Sequence, residues 1–313
     1  MKAFRTEIFP NSIKDKISFN DRLVAMGSCF SDNISAKLTR YRFSCHVNSH
    51  GIVFNPFSLA TAIEDVIRLK EYAVNDLQFE NGLWHSMNHH GKFSDHESHV
   101  VLNAINDSIV RFHQHLRDSR FLMITFGSAW YYTLLKNNNI VANCHKFPSN
   151  AFSKKIALSP EMVDVWTRLI EELKRFNPDL NIILTVSPVR HLRDGVVENQ
   201  LSKSNLLIAV NQLTMQFEHV QYFPAYELMM DDLRDYRFYN EDMVHPSPLA
   251  IDYIWEKFHE SCMTAPTNDL ILKLRPMLAF LDHIPMKVSP EQHQKSVEEK
   301  EKAIARLISE FPE

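Results

Sequence analysis

Glycine is scarce in this chain, with six residues in 313 against roughly 7% in an average protein. It is used where the backbone needs positive φ or must let another group come close, so each glycine marks a tight place. Cysteine is rarer still. Cys29, Cys45, Cys144 and Cys262 form no CxxC pair and no zinc-like spacing, which argues against a disulfide scaffold or a structural zinc site. They read as reduced thiols of a cytosolic protein. No apolar run reaches the roughly 18 residues of a membrane-spanning helix. Residues 1–12 alternate polar and apolar positions and lack the apolar stretch of a secretion signal, so the expected location is cytoplasmic. A large charge of one sign is also missing: 34 Lys and Arg against 38 Asp and Glu give a formal net charge of −4. Nucleic acid is therefore not an expected partner.

What is present is enough apolar material, 45% of the chain, to bury a large core. Short apolar runs end on distinctive residues. Leu23 to Met26 ends on Gly27, Phe121 to Phe126 on Gly127, and Asn181 to Val186 on Ser187-Pro188. They read as buried strands, joined by further strands at Phe43–Val47 and Val220–Phe223 and a hairpin over Trp130–Asn143. Helices are expected after Ser31-Asp32, from Pro56 to Leu69, over Val100–Leu116, Ser159–Phe176 and Glu198–Phe217, as a short piece at Tyr226–Asp231, and from Pro246 to Cys262. Alternating strands and helices predict an α/β fold: a three-layer sandwich on a parallel five-stranded sheet, flavodoxin-like in order, with the first strand central. Residues 76–99 read as a polar, histidine-rich insertion or lid. Residues 266–313 read as a helical C-terminal extension, amphipathic from Ser289.

Ligands of open parallel sheets sit beyond the carboxyl ends of the strands. Cys29 falls there, at a helix start that favours anions and lowers a thiol pKa. Asp242-Met243-Val244-His245-Pro246 places an Asp three residues before a His, a spacing at which the carboxylate can orient the imidazole toward a nucleophile. Alone, a free cysteine is more often an inert buried thiol, and a lone DxxH is more often a surface feature. Arg190 and His191 also follow a strand end, where they either contact substrate or are solvated.

The order of these motifs resembles that of SGNH (GDSL-type) hydrolases, with the nucleophile after strand one, glycines after strands two and three, and Asp-x-x-His near the end. More closely, the chain resembles the GSCFA family over residues 5–265. The resemblance rests on Gly27-Ser28-Cys29-Phe30 (with Ser31 where the family name has alanine), Asn143-Cys144-His145-Lys146, Ser187-Pro188-Val189-Arg190-His191 and Asp242-Met243-Val244-His245-Pro246. It implies the SGNH hydrolase fold over residues 1–265, a Cys29–His245–Asp242 catalytic set, and oxyanion or substrate contacts among Gly51, Asn55, Gly127, Ser128, His145, Arg190 and His191. The expected oxyanion donors are the N–H groups of Cys29 and Gly51, and no cofactor is implied.

Cys29 stands where these hydrolases carry serine, which is chemically workable; Ser28 is the alternative nucleophile. Ala129 stands where an oxyanion asparagine is expected, with Ser128, Asn55 or His145 as substitutes. The leading function is hydrolysis of an acyl ester or thioester, or acyl transfer, on a small-molecule or glycan substrate. The competing ones are a metal-dependent hydrolase using His85, His89 and His90 in the cluster from His85 to His99, and a catalytically silent binding protein. Oligomeric state is left open.

Overall fold

The computed structural model describes residues 5–282 and 289–311; the stretch 283–288 of the expected extension lies outside them. In chain order the elements are β1 (Leu23–Gly27), α1 (Cys29–Arg40), β2 (Cys45–Val47), α2 (Pro56–Ile67), β3 (Leu77–Glu80), β4 (Leu83–Ser86), α3 (Ser98–Asp118) and β5 (Phe121–Phe126). Then follow β6 (Trp130–Leu134), β7 (Asn139–Val141), β8 (Phe152–Ile156), α4 (Ser159–Phe176), β9 (Asn181–Val186), α5 (Val196–Gln216) and β10 (Val220–Tyr222). The last are α6 (Ala225–Glu227), α7 (Pro248–Cys262), α8 (Ala265–Asp282) and α9 (Pro290–Ser309).

Five strands form one parallel sheet in the order β10-β9-β5-β1-β2, the expected flavodoxin-like arrangement. One detail differs: β5, not β1, is the middle strand. After β1 the chain adds β2 on one side and β5 on the other, so winding reverses at β1. That reversal opens a crevice at the carboxyl ends, where open α/β sheets bind ligands.

The strands are near-continuous apolar runs because both faces are covered. Side chains alternate between the faces. Val24, Met26, Leu122, Ile124, Ile182 and Leu184 join the cluster beneath α2, α3, α4 and α5. Leu23, Ala25, Phe121, Met123 and Ile183 join the cluster beneath α1 and α7, to which α8 adds Leu270, Ile271, Leu274 and Leu278, and α9 adds Ile304. Trp166 of α4 is fully buried in the first cluster, with its indole N–H donating to the Pro56 carbonyl at 3.1 Å. Trp166→Ala should therefore cost about 3–5 kcal/mol, as expected of a large buried aromatic. A urea-unfolding midpoint within error of wild type would refute that.

Two small sheets flank the main one. The insertion carries the β3–β4 hairpin, and the expected Trp130–Asn143 hairpin gains a third strand, β8, paired with β6. Lys154-Lys155 interrupts the apolar alternation that would have revealed β8 in the sequence. The last helix of the sheet domain starts at Pro248, not Pro246, because the Ser247 hydroxyl caps it by accepting from Ala250 N.

Candidate active site

The site is built where β1 ends. Gly27 has φ +145° and carries the chain over Thr125 of β5, and a Cβ there would lie 2.8 Å from Thr125 Cβ. The Gly27 N–H donates to Asn48 Oδ1 at 2.9 Å, and Asn48 Nδ2 donates to Asp32 Oδ1 at 2.5 Å. Ser28 is buried and is the N-cap of α1, its hydroxyl accepting from Phe30 N at 3.3 Å. That assignment commits the Ser28 oxygen to the helix. Cys29 follows as the first residue of α1 and is partly exposed.

The Asp242 turn faces it. Asp242 Oδ1 accepts the backbone N–H groups of Val244 (2.9 Å) and His245 (3.0 Å), while Oδ2 meets His245 Nδ1 at 2.6 Å. Bonds from the His245 backbone and ring and from Val244 N hold the Asp242 carboxyl at about 2, so it stays ionised until pH falls toward that value. Met243 takes φ +57° to close the turn. Arg190 braces it from the end of β9: its N–H donates to Val244 O at 3.1 Å and its guanidinium to Met243 O at 3.2 Å. Cys29 and His245 line one open cavity of about 800 Å³ together with Asp32, Asn33, Lys37, Arg40, Asn240 and Asp252.

The thiol is less acidic than the sequence led us to expect. Its own N–H and that of Phe30 favour the thiolate, and so does Lys203, but burial and the Asp32 carboxylate outweigh them and raise the Cys29 pKa. Helix N-terminus and imidazole alone predict the opposite direction; the missing factors are burial first and then Asp32, one turn along the same helix. Burial pushes Cys45 up to about 11 and Cys262 to about 12, and it raises Cys144.

Among the expected oxyanion and substrate groups, several are committed locally. Gly51, with φ +74°, closes a turn in which its N–H donates to Asn48 O at 2.9 Å. The Gly127 N–H donates to Phe54 O at 2.8 Å. Asn55 caps α2 through Ser58. Ser128 bonds Ser202 and Trp130 N. The His145 Nε2 lies 2.7 Å from Ser86 O, among the insertion's residues. Ala129 is buried in the core cluster and its N–H bonds Ser202, so position 129 points away from the crevice.

His191 and Gly127 are brought to the crevice. A Cβ on Gly127 would lie 2.8 Å from Phe54 Cβ, too close to be accommodated without a shift, and 3.3 Å from Ser28 Cβ and 3.4 Å from His191 Nε2. The His191 ring stacks on Phe54 at 5.4 Å, and burial and Lys203 bring its pKa down to about 4.

The histidine cluster does not converge. His85 bonds Ser94 Oγ and lies 3.2 Å from Glu80 O, while His89 bonds Ser86 Oγ and stacks on His50 at 4.1 Å. His90 packs against Gly51. Among the described residues no group of three or more His, Cys, Asp or Glu side chains is placed to hold a metal ion. The insertion instead borders the site, bringing Lys92 Cε within 3.2 Å of where a Gly51 Cβ would sit. The sequence carries no signal for Lys92, nor for Lys203, a buried lysine of α5 that donates to Gly127 O and Ser187 O.

Half-buried imidazoles set an acid limit. His46, His145 and His191 are each lowered to about 4, mainly by burial. Between pH 6.5 and 4 the unfolded chain binds protons that the folded one refuses, so stability falls as pH falls through that window. The urea midpoint should drop steadily as pH falls from 6.5 toward 4. A midpoint unchanged across that range would mean these rings titrate normally.

These features define an α/β protein with Cys29 at the switch point of a flavodoxin-like sheet, lining one cavity with His245, whose ring Asp242 bonds. The chain belongs to the GSCFA family, whose profile matches residues 22–258. No helix among the described residues is long and apolar enough to cross a membrane. Comparison with curated proteins found no match. Among solved structures, the chain is similar to a family 3 carbohydrate esterase of Clostridium thermocellum, at 10% identity and TM-score 0.38, covering 82% of this chain and 98% of that one. It is also similar to a family two carbohydrate esterase of Clostridium thermocellum in complex with cellohexaose, at 13% identity and TM-score 0.38, covering 85% of this chain and 66% of that one. A third is an acetyl xylan esterase from the rumen bacterium Butyrivibrio proteoclasticus, at 9% identity and TM-score 0.36, covering 85% and 66%.

Proposed function

We propose that this chain hydrolyses an acyl ester or thioester through a covalent intermediate on Cys29. The observation that carries the reading is that Cys29 and His245 line one cavity while Asp242 Oδ2 lies 2.6 Å from His245 Nδ1. With Nδ1–H donating to the carboxylate, Nε2 is the basic nitrogen.

Because the thiol is raised, it is protonated at rest near neutral pH. His245 Nε2 takes its proton as Sγ attacks the acyl carbon, and the carbonyl pair moves to oxygen. The N–H of Cys29, at the start of α1, is the donor left for that oxyanion. Collapse expels the alcohol or thiol, which takes the proton from His245. Water then attacks the thioester, gives a proton to His245, and the returning sulfur recovers it.

The carboxylates, amides and cations around the cavity suit hydroxyl-rich alcohols, so acylated carbohydrate is the substrate class we favour. The test is a panel of p-nitrophenyl esters, acyl thioesters and acetylated sugars, with the acyl-enzyme trapped by acid quench and located by mass spectrometry. Turnover with an acyl adduct on Cys29 supports the reading; no turnover and no adduct across the panel would overturn it.

A further inference from the structure

Helix α5 is apolar on two sides. Leu206, Ala209, Val210 and Leu213 face the core cluster, as in any helix laid on a sheet. Val197, Leu201, Ile208 and Met215 lie on the opposite side, and each is at least half exposed. With 3.6 residues per turn, these four share one narrow stripe with Ser204 and Asn211. Along the stripe, 197, 201, 204, 208, 211 and 215, steps of four and three residues alternate, the pattern of a helix that packs on another helix. A surface helix ordinarily turns charges to water, and this one does not. Between Glu198 and Glu218 the one ionisable residue is Lys203, and it is buried. By contrast Val110, an exposed apolar residue of α3, stands among exposed Asp107 and Arg111. Single exposed apolar side chains are ordinary; a contiguous, charge-free stripe marks an interaction surface. The face continues onto the edge of α4, where Ser159 N donates to Asn205 Oδ1 at 3.1 Å and Thr167 Oγ1 to Gln216 Oε1 at 3.0 Å, beside exposed Leu158.

We infer that this stripe is a homodimer interface, in which the α5 helices of two copies pack antiparallel about a two-fold axis. The stripe is its own complement. Set against its reversed copy, it places Val197, Leu201 and Ser204 on Met215, Asn211 and Ile208 of the partner subunit, so that Leu and Ile each meet a smaller side chain. A two-fold contact repeats every charge of a face on both sides, and a face without charges meets itself without repulsion. A different protein drawn by charge to a chain of net −4 would bring basic residues, and the stripe offers no acid to receive them. Antiparallel pairing also sets the positive end of one helix dipole beside the negative end of the other. The extent fits as well. A 21-residue helix is about 30 Å long, and packed helices lie about 8–10 Å apart. Helix α5 with the adjoining edge of α4 thus offers about 600 Å² per copy, the lower end of specific interfaces.

The test is the mass of the full chain in solution, by sedimentation equilibrium across the micromolar range. Wild type should approach twice the 36.5 kDa of the chain. Ile208→Asp replaces a side chain that is already half exposed, so the chain should fold, as checked by circular dichroism. It should weaken self-association about a hundredfold or more, because each dimer would hold two desolvated, unpaired carboxylates. Val110→Asp, at a similarly exposed position on α3, should leave the dimer intact. Where Ile208→Asp does not fold, Met215→Asp, at the most exposed seam position, gives the same reading. A wild-type chain that stays at 36.5 kDa across the range overturns the proposal and leaves the stripe to a different protein. A dimer that persists unchanged in both folded Ile208→Asp and Met215→Asp overturns it too, because the contact then lies on another face. None of these readouts depends on ester turnover.

Discussion

Cys29→Ala is expected to lower turnover of any accepted acyl ester by about 10⁴-fold or more, with the fold intact. Removing the nucleophile from a set that acts as a unit typically costs that much or more. The loss should appear in kcat, because the attacking atom is gone while the cavity that binds substrate is retained. His245→Ala should be of similar severity, since the resting thiol is raised by burial and Asp32 and depends on a base at the moment of attack. Ser28→Ala should be far milder. It removes a cap oxygen that accepts from Phe30 N, a loss of about 1 kcal/mol in stability. The check is steady-state kinetics of the three variants on the best substrate of the panel. Turnover retained in Cys29→Ala but lost in Ser28→Ala would move the nucleophile by one residue and sink the thiol mechanism.

Gly27→Ala should be among the most damaging single substitutions for stability, at about 2–6 kcal/mol. Two costs add. The φ of +145° lies in a region nearly closed to residues with a side chain, which costs about 1–3 kcal/mol. A Cβ would also lie 2.8 Å from Thr125 Cβ and 2.9 Å from Thr125 N and would collide with the Thr125 carbonyl oxygen. Forcing extra volume into packed structure costs about 1–3 kcal/mol more. Strands β1 and β5 are paired through Gly27 and Thr125, so the neighbours cannot yield without opening the sheet. Urea unfolding measures the effect; a change below about 1 kcal/mol would show that β1 can shift. The same shift would displace Ser28 and Cys29, so activity should fall with stability.

Much of the architecture was legible in the chain because its signals are local. Apolar runs such as Leu23–Met26 and Phe121–Phe126 reveal strands covered on both faces, and Gly27 and Gly127 mark the close approaches. The Asp242-x-x-His245 spacing reveals the bonded pair, since three residues are enough for the carboxylate to turn back onto the ring. What the chain could not show depends on groups far apart in sequence. Lys203 reads as one charge in a helix until α5 packs it under Gly127 and Ser187. Asp32 reads as a helix-start residue until burial lets its charge act on Cys29. Ala129 reads as a missing donor until the strand's exit turns its side chain into the core. The His85–His99 cluster reads as a polar insertion or, alternatively, as ligands until the local bonds of His85 and His89 are seen. Sequence spacing determined the strands, their tight exits and the Asp–His pair, because neighbours along the chain interact whatever the fold. The acidity of Cys29, the donors left free for an oxyanion and the place of Lys203 were decided by tertiary structure, because burial and charge act through space.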